Sequence, residues 1–351
     1  MKYFCAMNTF SRILTDWYET NKRDLPWRDI SDPYKIWVSE IILQQTRVGQ
    51  GYGYYTHFVR RFPDVQALAQ ATEDEVMRYW QGLGYYTRAR NMHQAAQSMN
   101  GKFPQTYQEV RALKGVGDYT AAAICASAFN MPYAAVDGNV YRVLARHFGI
   151  DKPIDSAEGK KLFTALAQEL LDKRQPGTFN QAMMDFGATV CTPHRPHCEK
   201  CPLADTCEAV RQGLTDKLPV KRHQTKSTDR YFTYLYVMCG DRICIRKRTQ
   251  NDIWKGLYEL PLIESAHRLN ENELTERPEF KLWLANGSLP RPQPLEMGVR
   301  HVLSHQIIHA DFYALFLSED TTSFRPFLRA ERADLTRFAF PRLIQAFLER
   351  H

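Results

Sequence analysis

Cys191, Cys198, Cys201 and Cys207 stand within seventeen residues, separated by six, two and five residues. Thiolates crowded this closely either cross-link or hold a metal. A chain of 351 residues buries its own core without staples, which argues against disulfides. Structural zinc sites usually show two short pairs, and only Cys198 and Cys201 form one. Ligation by four thiolates also suits a [4Fe–4S] cluster, and this compact spacing favours iron–sulfur over zinc. His194 and His197 lie in the same loop as alternative ligands or phosphate contacts.

Two carboxylates stand in settings where chemistry is conceivable. In the run Ile36 to Val48, Glu40 falls four residues after Ile36 and three after Trp37, on the apolar face of a helix. A carboxyl held among apolar side chains resists ionisation and can serve as a general acid near neutral pH. The plainer alternative is a glutamate at the rim of the core, paired with Arg28 or Arg47. Asp137, in Val136-Asp137-Gly138-Asn139-Val140, precedes another helix and reads first as its N-cap. Functionally it would set a negative charge against a cationic transition state, since paired carboxylates cleave glycosidic bonds through an oxocarbenium-like state. Leu113 to Thr120 carries Gly115 and Gly117 before a helix, which lets the backbone turn at positive φ and turns amides toward a phosphate.

The elements that must position these groups fall into two parts. Up to about residue 210 the chain reads as all helical. Ser31-Asp32-Pro33 is a helix start, and apolar spacing of three and four marks helices at 73–81, 88–99, 120–129, 140–148, 160–171 and 179–188. Beyond residue 230 the pattern turns aromatic and β-branched. Tyr231 to Cys239, Gly240-Asp241 and Arg242 to Arg248 read as a hairpin, with strand-like runs at 256–263 and 299–317 and a short helix after Pro341. That part is α+β.

Composition sets limits. Hydrophobic residues make up 44% of the chain, as in soluble proteins. The N-terminus lacks the apolar core of a signal peptide. The longest apolar stretch, Thr120 to Val136, is interrupted by Asn130 and Pro132 and is too short to span a bilayer. A soluble, cytoplasmic chain with no membrane partner is expected. The net charge is +7, and more than half of it lies between Arg211 and Arg230, where six basic residues face two acidic ones. Such a run is a solvated linker that could also track phosphates.

Ser39-Glu40-x-x-Leu43-Gln44-Gln45-Thr46, Gly82-Leu83-Gly84-Tyr85-Tyr86, Leu113-Lys114-Gly115-Val116-Gly117-x-Tyr119-Thr120, Val136-Asp137-Gly138-Asn139-Val140 and the four cysteines occur in that order. Together they resemble the helix–hairpin–helix iron–sulfur DNA glycosylases, and within them the adenine DNA glycosylases of the MutY family. The resemblance is strong from Leu25 to Cys207 and looser over residues 230–350. It implies an all-α glycosylase domain (1–213) with the cluster loop at 191–207, a basic linker (214–229), and a Nudix-like C-terminal domain (230–351).

The resemblance further implies these roles. Glu40 protonates adenine at N7. Asp137 stabilises the sugar cation or forms a transient covalent intermediate, and Tyr119 and Asn139 position these groups. Gln45, Thr46, Leu83 and Tyr85 enter the duplex around the mispair. Arg28 joins the DNA contacts, and Gly115 and Gly117 clamp the backbone. Cys191, Cys198, Cys201 and Cys207 hold [4Fe–4S]. In the C-terminal domain Ser304 and His305 read 8-oxoguanine, with Leu303 where the family often has Phe. The expected partner is double-stranded DNA with an 8-oxoguanine·adenine or guanine·adenine mispair, bound by a monomer by default. If the source is bacterial, the chain would be nucleoid-associated.

Tyr119 stands where the related glycosylase/lyases carry a lysine nucleophile. A tyrosine forms no Schiff base, so base excision by hydrolysis without a strong lyase step is expected. No Glu-rich R-E-x-x-E-E helix occurs, so no pyrophosphatase activity is expected. The competing readings are an oxidised-pyrimidine glycosylase/lyase and a non-catalytic iron–sulfur DNA-binding protein.

Overall fold

The structure is a computed structural model that describes residues 2–222, 227–284, 291–319 and 321–351, with side chains from residue 9 onward. Contacts divide the chain into two compact units, Met1–Ala71 with Asn91–Gln224, and Thr72–Arg90 with Thr225–His351. No helix among the described residues is long and apolar enough to cross a membrane.

The helices run α1 (Lys2–Asn21), α2 (Pro33–Leu43), α3 (Val48–Arg61), α4 (Val65–Gln70), α5 (Glu73–Trp80), α6 (Thr87–Ser98), α7 (Tyr107–Ala112), α8 (Asp118–Phe129), α9 (Gly138–Phe148), α10 (Ala157–Leu170), α11 (Pro176–Thr189) and α12 (Glu208–Arg211). Local chemistry fixes where they begin. Asp32 accepts from the amides of Tyr34 and Lys35, and Pro33 occupies the first helical position. Thr106 and Glu109 form a reciprocal capping box at α7. The first unit's core gathers Phe10, Leu14 and Tyr18 of α1 against Leu144 of α9, Phe163 of α10, and Phe179 and Phe186 of α11. Full burial of one such side chain stabilises by roughly 1.5–3 kcal/mol, so this cluster ties α1, α9 and α11 into one frame.

The stretch from residue 214, expected as a solvated linker, is anchored at its start. Leu218 is buried in the helical core, the Val220 carbonyl accepts from Ile154, and the Arg222 amide donates to Asp155. Apolar residues at 214, 218 and 220 outweigh the basic ones there. Lys226, counted in the basic run, lies outside the described residues.

The second unit carries β1 (Thr228–Cys239), β2 (Arg242–Lys247), β3 (Tyr258–Glu259), β4 (Leu262–Ser265), β5 (Gln293–Val302), β6 (Gln306–Leu317) and β7 (Leu328–Glu331), with α13 (Glu271–Glu276), α14 (Pro278–Trp283) and α15 (Arg342–Leu348). The sheet order is β3-β2-β1-β6-β5, with β4 also pairing β1 and β7 pairing β2. β1 and β6 run parallel and the other pairs antiparallel. Side chains alternate across the sheet. Leu235, Val237 and Leu315 pack toward Phe280 and Trp283 of α14. On the opposite face Phe312 stacks on Phe347 of α15 at 4.1 Å. β1 starts at Thr228, and the strand-like run 299–317 resolves into a hairpin, β5–β6, turning at 303–305.

Candidate active site

Glu40 and Asp137, 97 positions apart in the sequence, meet in one cavity of about 490 Å³ in the first unit. Tyr119, Asn139, Gln45, Thr46 and Arg28 also line it. Glu40 projects from the last turns of α2, and protein surrounds its carboxyl, with a partly exposed face toward the cavity. Burial pushes its pKa up. A hydrogen bond with Tyr119 and the charge of Arg28 pull it back, and Asp137 adds to the rise. Tyr119 is half-buried, and its hydroxyl pKa rises well above 10, first through burial of the hydroxyl and then through both carboxylates. Its Oη lies 3.2 Å from Sδ of Met184, to which it donates.

Asp137 caps α9, as its place before the helix suggests. Oδ1 accepts from the amides of Asn139 at 2.9 Å and Val140 at 2.8 Å, and Oδ2 accepts from Nδ2 of Asn139 at 2.8 Å. Burial raises its pKa, while those donors and the Arg142 charge oppose the rise. The buried Arg142 orders this corner. Its Nη2 donates to Oδ1 of Asn139 at 2.7 Å and to the Gly187 carbonyl at 2.6 Å, and its Nε donates to the Cys191 carbonyl at 2.7 Å. A continuous hydrogen-bonded path therefore runs from the cysteine loop through Arg142 and Asn139 to Asp137. Gly187 packs so closely on Asn139 that a Cβ there would lie 2.6 Å from the Asn139 Cβ.

Glu40 forms an ion pair with neither Arg28 nor Arg47 among the described residues; Arg28 is engaged elsewhere. Its guanidinium donates to Oδ1 of Asp185 at 2.7 Å, beside Arg23. Arg47, the other candidate, is exposed at the start of α3. Sequence reading missed Asp185, Arg23 and Arg142. The available signal was a lone charged residue within a short apolar run, Met183-Met184-Asp185-Phe186.

The remaining positions divide by unit. Gln45 follows α2 exposed and with φ 58°, a left-handed conformation that non-glycine residues hold at a cost. At the hairpin only Gly115 has positive φ, 82°. Gly117 is extended and caps α8, so the turn needs one left-handed glycine rather than two. In the second unit Leu83 is buried while Tyr85 is exposed at φ 47°, and the Tyr85 hydroxyl contacts the Ser304 hydroxyl. Ser304 and His305 are exposed in the β5–β6 turn, and with Tyr85 and Trp254 they line a cavity of about 420 Å³. Among the tyrosines between α3 and α6, Tyr55 and Tyr86 lie in the core and Tyr52 and Tyr85 are exposed.

The four clustered cysteines are unbridged thiols. Burial raises the pKa of Cys198, Cys201 and Cys207, and the neighbouring cysteine thiolates push each further up, so the four lie near enough to repel one another when ionised. A cation there would reverse that repulsion, so the donor set suits a thiolate-bound metal group. Among the described residues no three His, Cys, Asp or Glu side chains close tightly enough to hold a single ion. His194 and His197 are exposed.

Comparison with known proteins places this architecture. Residues 38–171 match the family described as HhH-GPD superfamily base excision DNA repair protein, and residues 233–350 match the NUDIX domain. The adenine DNA glycosylase of Buchnera aphidicola subsp. Acyrthosiphon pisum (strain APS) is 34% identical over 306 residues, covering 86% of this chain and 84% of its own. That of Buchnera aphidicola subsp. Schizaphis graminum (strain Sg) is 33% identical over 257 residues, covering 72% and 74%. The chain belongs to the adenine DNA glycosylase family. A solved thermostable thymine-DNA glycosylase superposes with TM-score 0.55 at 29% identity, over 59% of this chain and 97% of its own.

Proposed function

We propose that the protein is a base-excision repair glycosylase that hydrolyses the N-glycosidic bond of adenine mispaired with 8-oxoguanine or guanine. The observation that carries this reading is the single cavity in which Glu40, Tyr119 and Asp137 converge. An adenine inside a duplex is out of reach, so the nucleotide must be flipped at a cost of a few kcal/mol. Exposed Gln45 and Tyr85, both on left-handed turns, suit insertion into the gap left behind. With the base in the cavity, Glu40 donates its proton to N7. The C1′–N9 bond then breaks, and its electron pair leaves with the neutral adenine. The sugar oxocarbenium faces the carboxylate of Asp137, either as an ion pair or as a transient ester. Water adds to C1′ and returns its proton to Glu40.

Tyr119 in place of a lysine favours hydrolysis without a coupled lyase step. Cys191, Cys198, Cys201 and Cys207 would hold a [4Fe–4S] cluster. Bound there, it supplies a rigid anchor for the loop that presents the exposed Arg195 and Lys200 to phosphates. Ser304 and His305, beside Tyr85, would hydrogen-bond the 8-oxoguanine opposite the adenine.

Single-turnover excision tests the reading on duplexes with adenine opposite 8-oxoguanine, guanine, cytosine or thymine. Fast excision opposite 8-oxoguanine and guanine is expected, and equal rates on all four would refute mispair recognition. High-yield borohydride trapping would favour a lyase instead. Stoichiometric zinc in colourless protein would overturn the cluster assignment.

A further inference from the structure

Asp185 of α11 is fully buried and takes no part in the steps above. One of its oxygens, Oδ1, accepts from two guanidinium groups at once, Nη2 of Arg23 at 2.5 Å and Nη2 of Arg28 at 2.7 Å. Its Oδ2 is 3.4 Å from the Arg23 amide. Nε of each arginine is buried without a hydrogen-bond partner among the described residues. Both arginines line the cavity that holds Glu40 and Asp137. Arginine extends freely in water, and two of them side by side repel. A shared carboxylate is what holds both at this wall.

We infer that Asp185 is a positioning residue that, by clamping Arg23 and Arg28 on one carboxylate oxygen, sets the positive charge facing Glu40 and thereby the proton affinity of the acid. The inference rests on the glycosylase reading and deepens it. The charged and titratable groups that act on Glu40 are Tyr119 of α8, Arg28 ahead of α2 and Asp137 before α9; Arg23 lines the same cavity, and Asp185 of α11 and Tyr18 of α1 lie behind Arg28. Arg28 draws the Glu40 pKa downward against burial and Asp137. Asp185 offsets the charge of the two guanidinium groups it holds, so removing the carboxylate or an arginine changes the charge behind Glu40. The acid must be protonated to act, so its proton affinity sets the alkaline limb of the pH–rate profile.

The test compares full-length parent, Asp185→Asn and Arg23→Gln in single-turnover excision from pH 5 to 10. A second readout follows the Glu40 carboxyl by infrared difference titration, its band assigned by its loss in Glu40→Gln. Asp185→Asn leaves both arginines uncompensated, and the limb should fall by about one pH unit or more. Arg23→Gln removes one positive charge and should raise it. Limbs unmoved in both folded variants, or moved in the same direction, would overturn the inference. If Asp185→Asn does not fold, Arg23→Gln decides alone: an upward shift supports the clamp and an unmoved limb refutes it. A parent that excises no adenine sinks the glycosylase reading instead, and the infrared titration still tests the clamp without any substrate.

Discussion

Replacing Glu40 by Gln should slow the enzyme and stabilise the fold, and the two effects arise from one cause. The substitution keeps the shape of the side chain and removes the ionisable proton. General acid catalysis typically contributes about 10²–10⁴-fold, so excision should slow by that factor, or roughly 3–5 kcal/mol in the barrier. Folding responds with the opposite sign. Burial raises the Glu40 pKa above its unfolded value, so ionisation in the folded state is penalised once pH exceeds the unfolded carboxyl range. Each unit of that rise corresponds to about 1.4 kcal/mol, reduced by the solvent that reaches the carboxyl through the cavity mouth. Glu40→Gln escapes this penalty. Its gain should be largest above the raised pKa, shrink as pH falls through it, and vanish below about pH 4, where the carboxyl is protonated in both states. Single-turnover excision and urea denaturation of parent and variant at pH 4 and pH 8.5 measure both sides. An unchanged rate would refute the acid role, and an equal stability change at both pH values would refute the electrostatic origin.

Tyr119→Phe removes the hydrogen bond that lowers the Glu40 pKa, so the alkaline limb of excision should move to higher pH; a fixed limb would show that Tyr119 does not reach the acid. Arg142→Gln withdraws a buried charged donor from Asn139 and from the Gly187 and Cys191 carbonyls, which should cost about 2 kcal/mol or more in urea denaturation and slow excision without changing DNA affinity. Gly115→Ala forces φ 82° on a residue whose Cβ would lie 2.9 Å from that of Asn91, so it should destabilise by about 1–3 kcal/mol and reduce the salt dependence of duplex binding; an unchanged salt slope would remove the hairpin from the DNA contacts.

The parts of this fold legible in the sequence are those specified by neighbouring residues. Asp32-Pro33 announced α2, Asp137 announced α9, and Gly240-Asp241 marked the β1–β2 turn, because each acts on backbone within a few positions. The same holds at the site. Glu40, Tyr119, Asp137 and Asn139 were singled out through local motifs, and the fold brings them to one cavity. The parts that escaped depend on distant partners. Asp185 is defined by arginines 157 and 162 positions away, and Arg142 by carbonyls 45 and 49 positions away. Those two read in isolation as ordinary surface charges. Leu218 and Val220 read as linker because the basic residues around them masked two apolar anchors.

The surroundings of the two carboxyls divide the labour between them. Among the described residues the hydrogen bonds to Asp137 come from N–H donors: two amides at the start of α9 and the Asn139 side chain, at the positive end of the helix dipole. Protonating Asp137 would set an O–H against these N–H groups. Glu40 faces a different partner. The Tyr119 hydroxyl can donate to the Glu40 carboxylate, or it can accept from the protonated acid while donating to Sδ of Met184, 3.2 Å away. Because burial and the two carboxylates keep Tyr119 itself protonated, this contact survives in both states of Glu40. Burial raises the pKa of both carboxyls, and three hydrogen bonds to Asp137 oppose that rise where Glu40 has only the one from Tyr119. Placing titratable groups in environments that push their proton affinities apart is how a site assigns an acid and an anion. Exchanging the roles of Glu40 and Asp137 would leave three N–H donors facing a protonated acid.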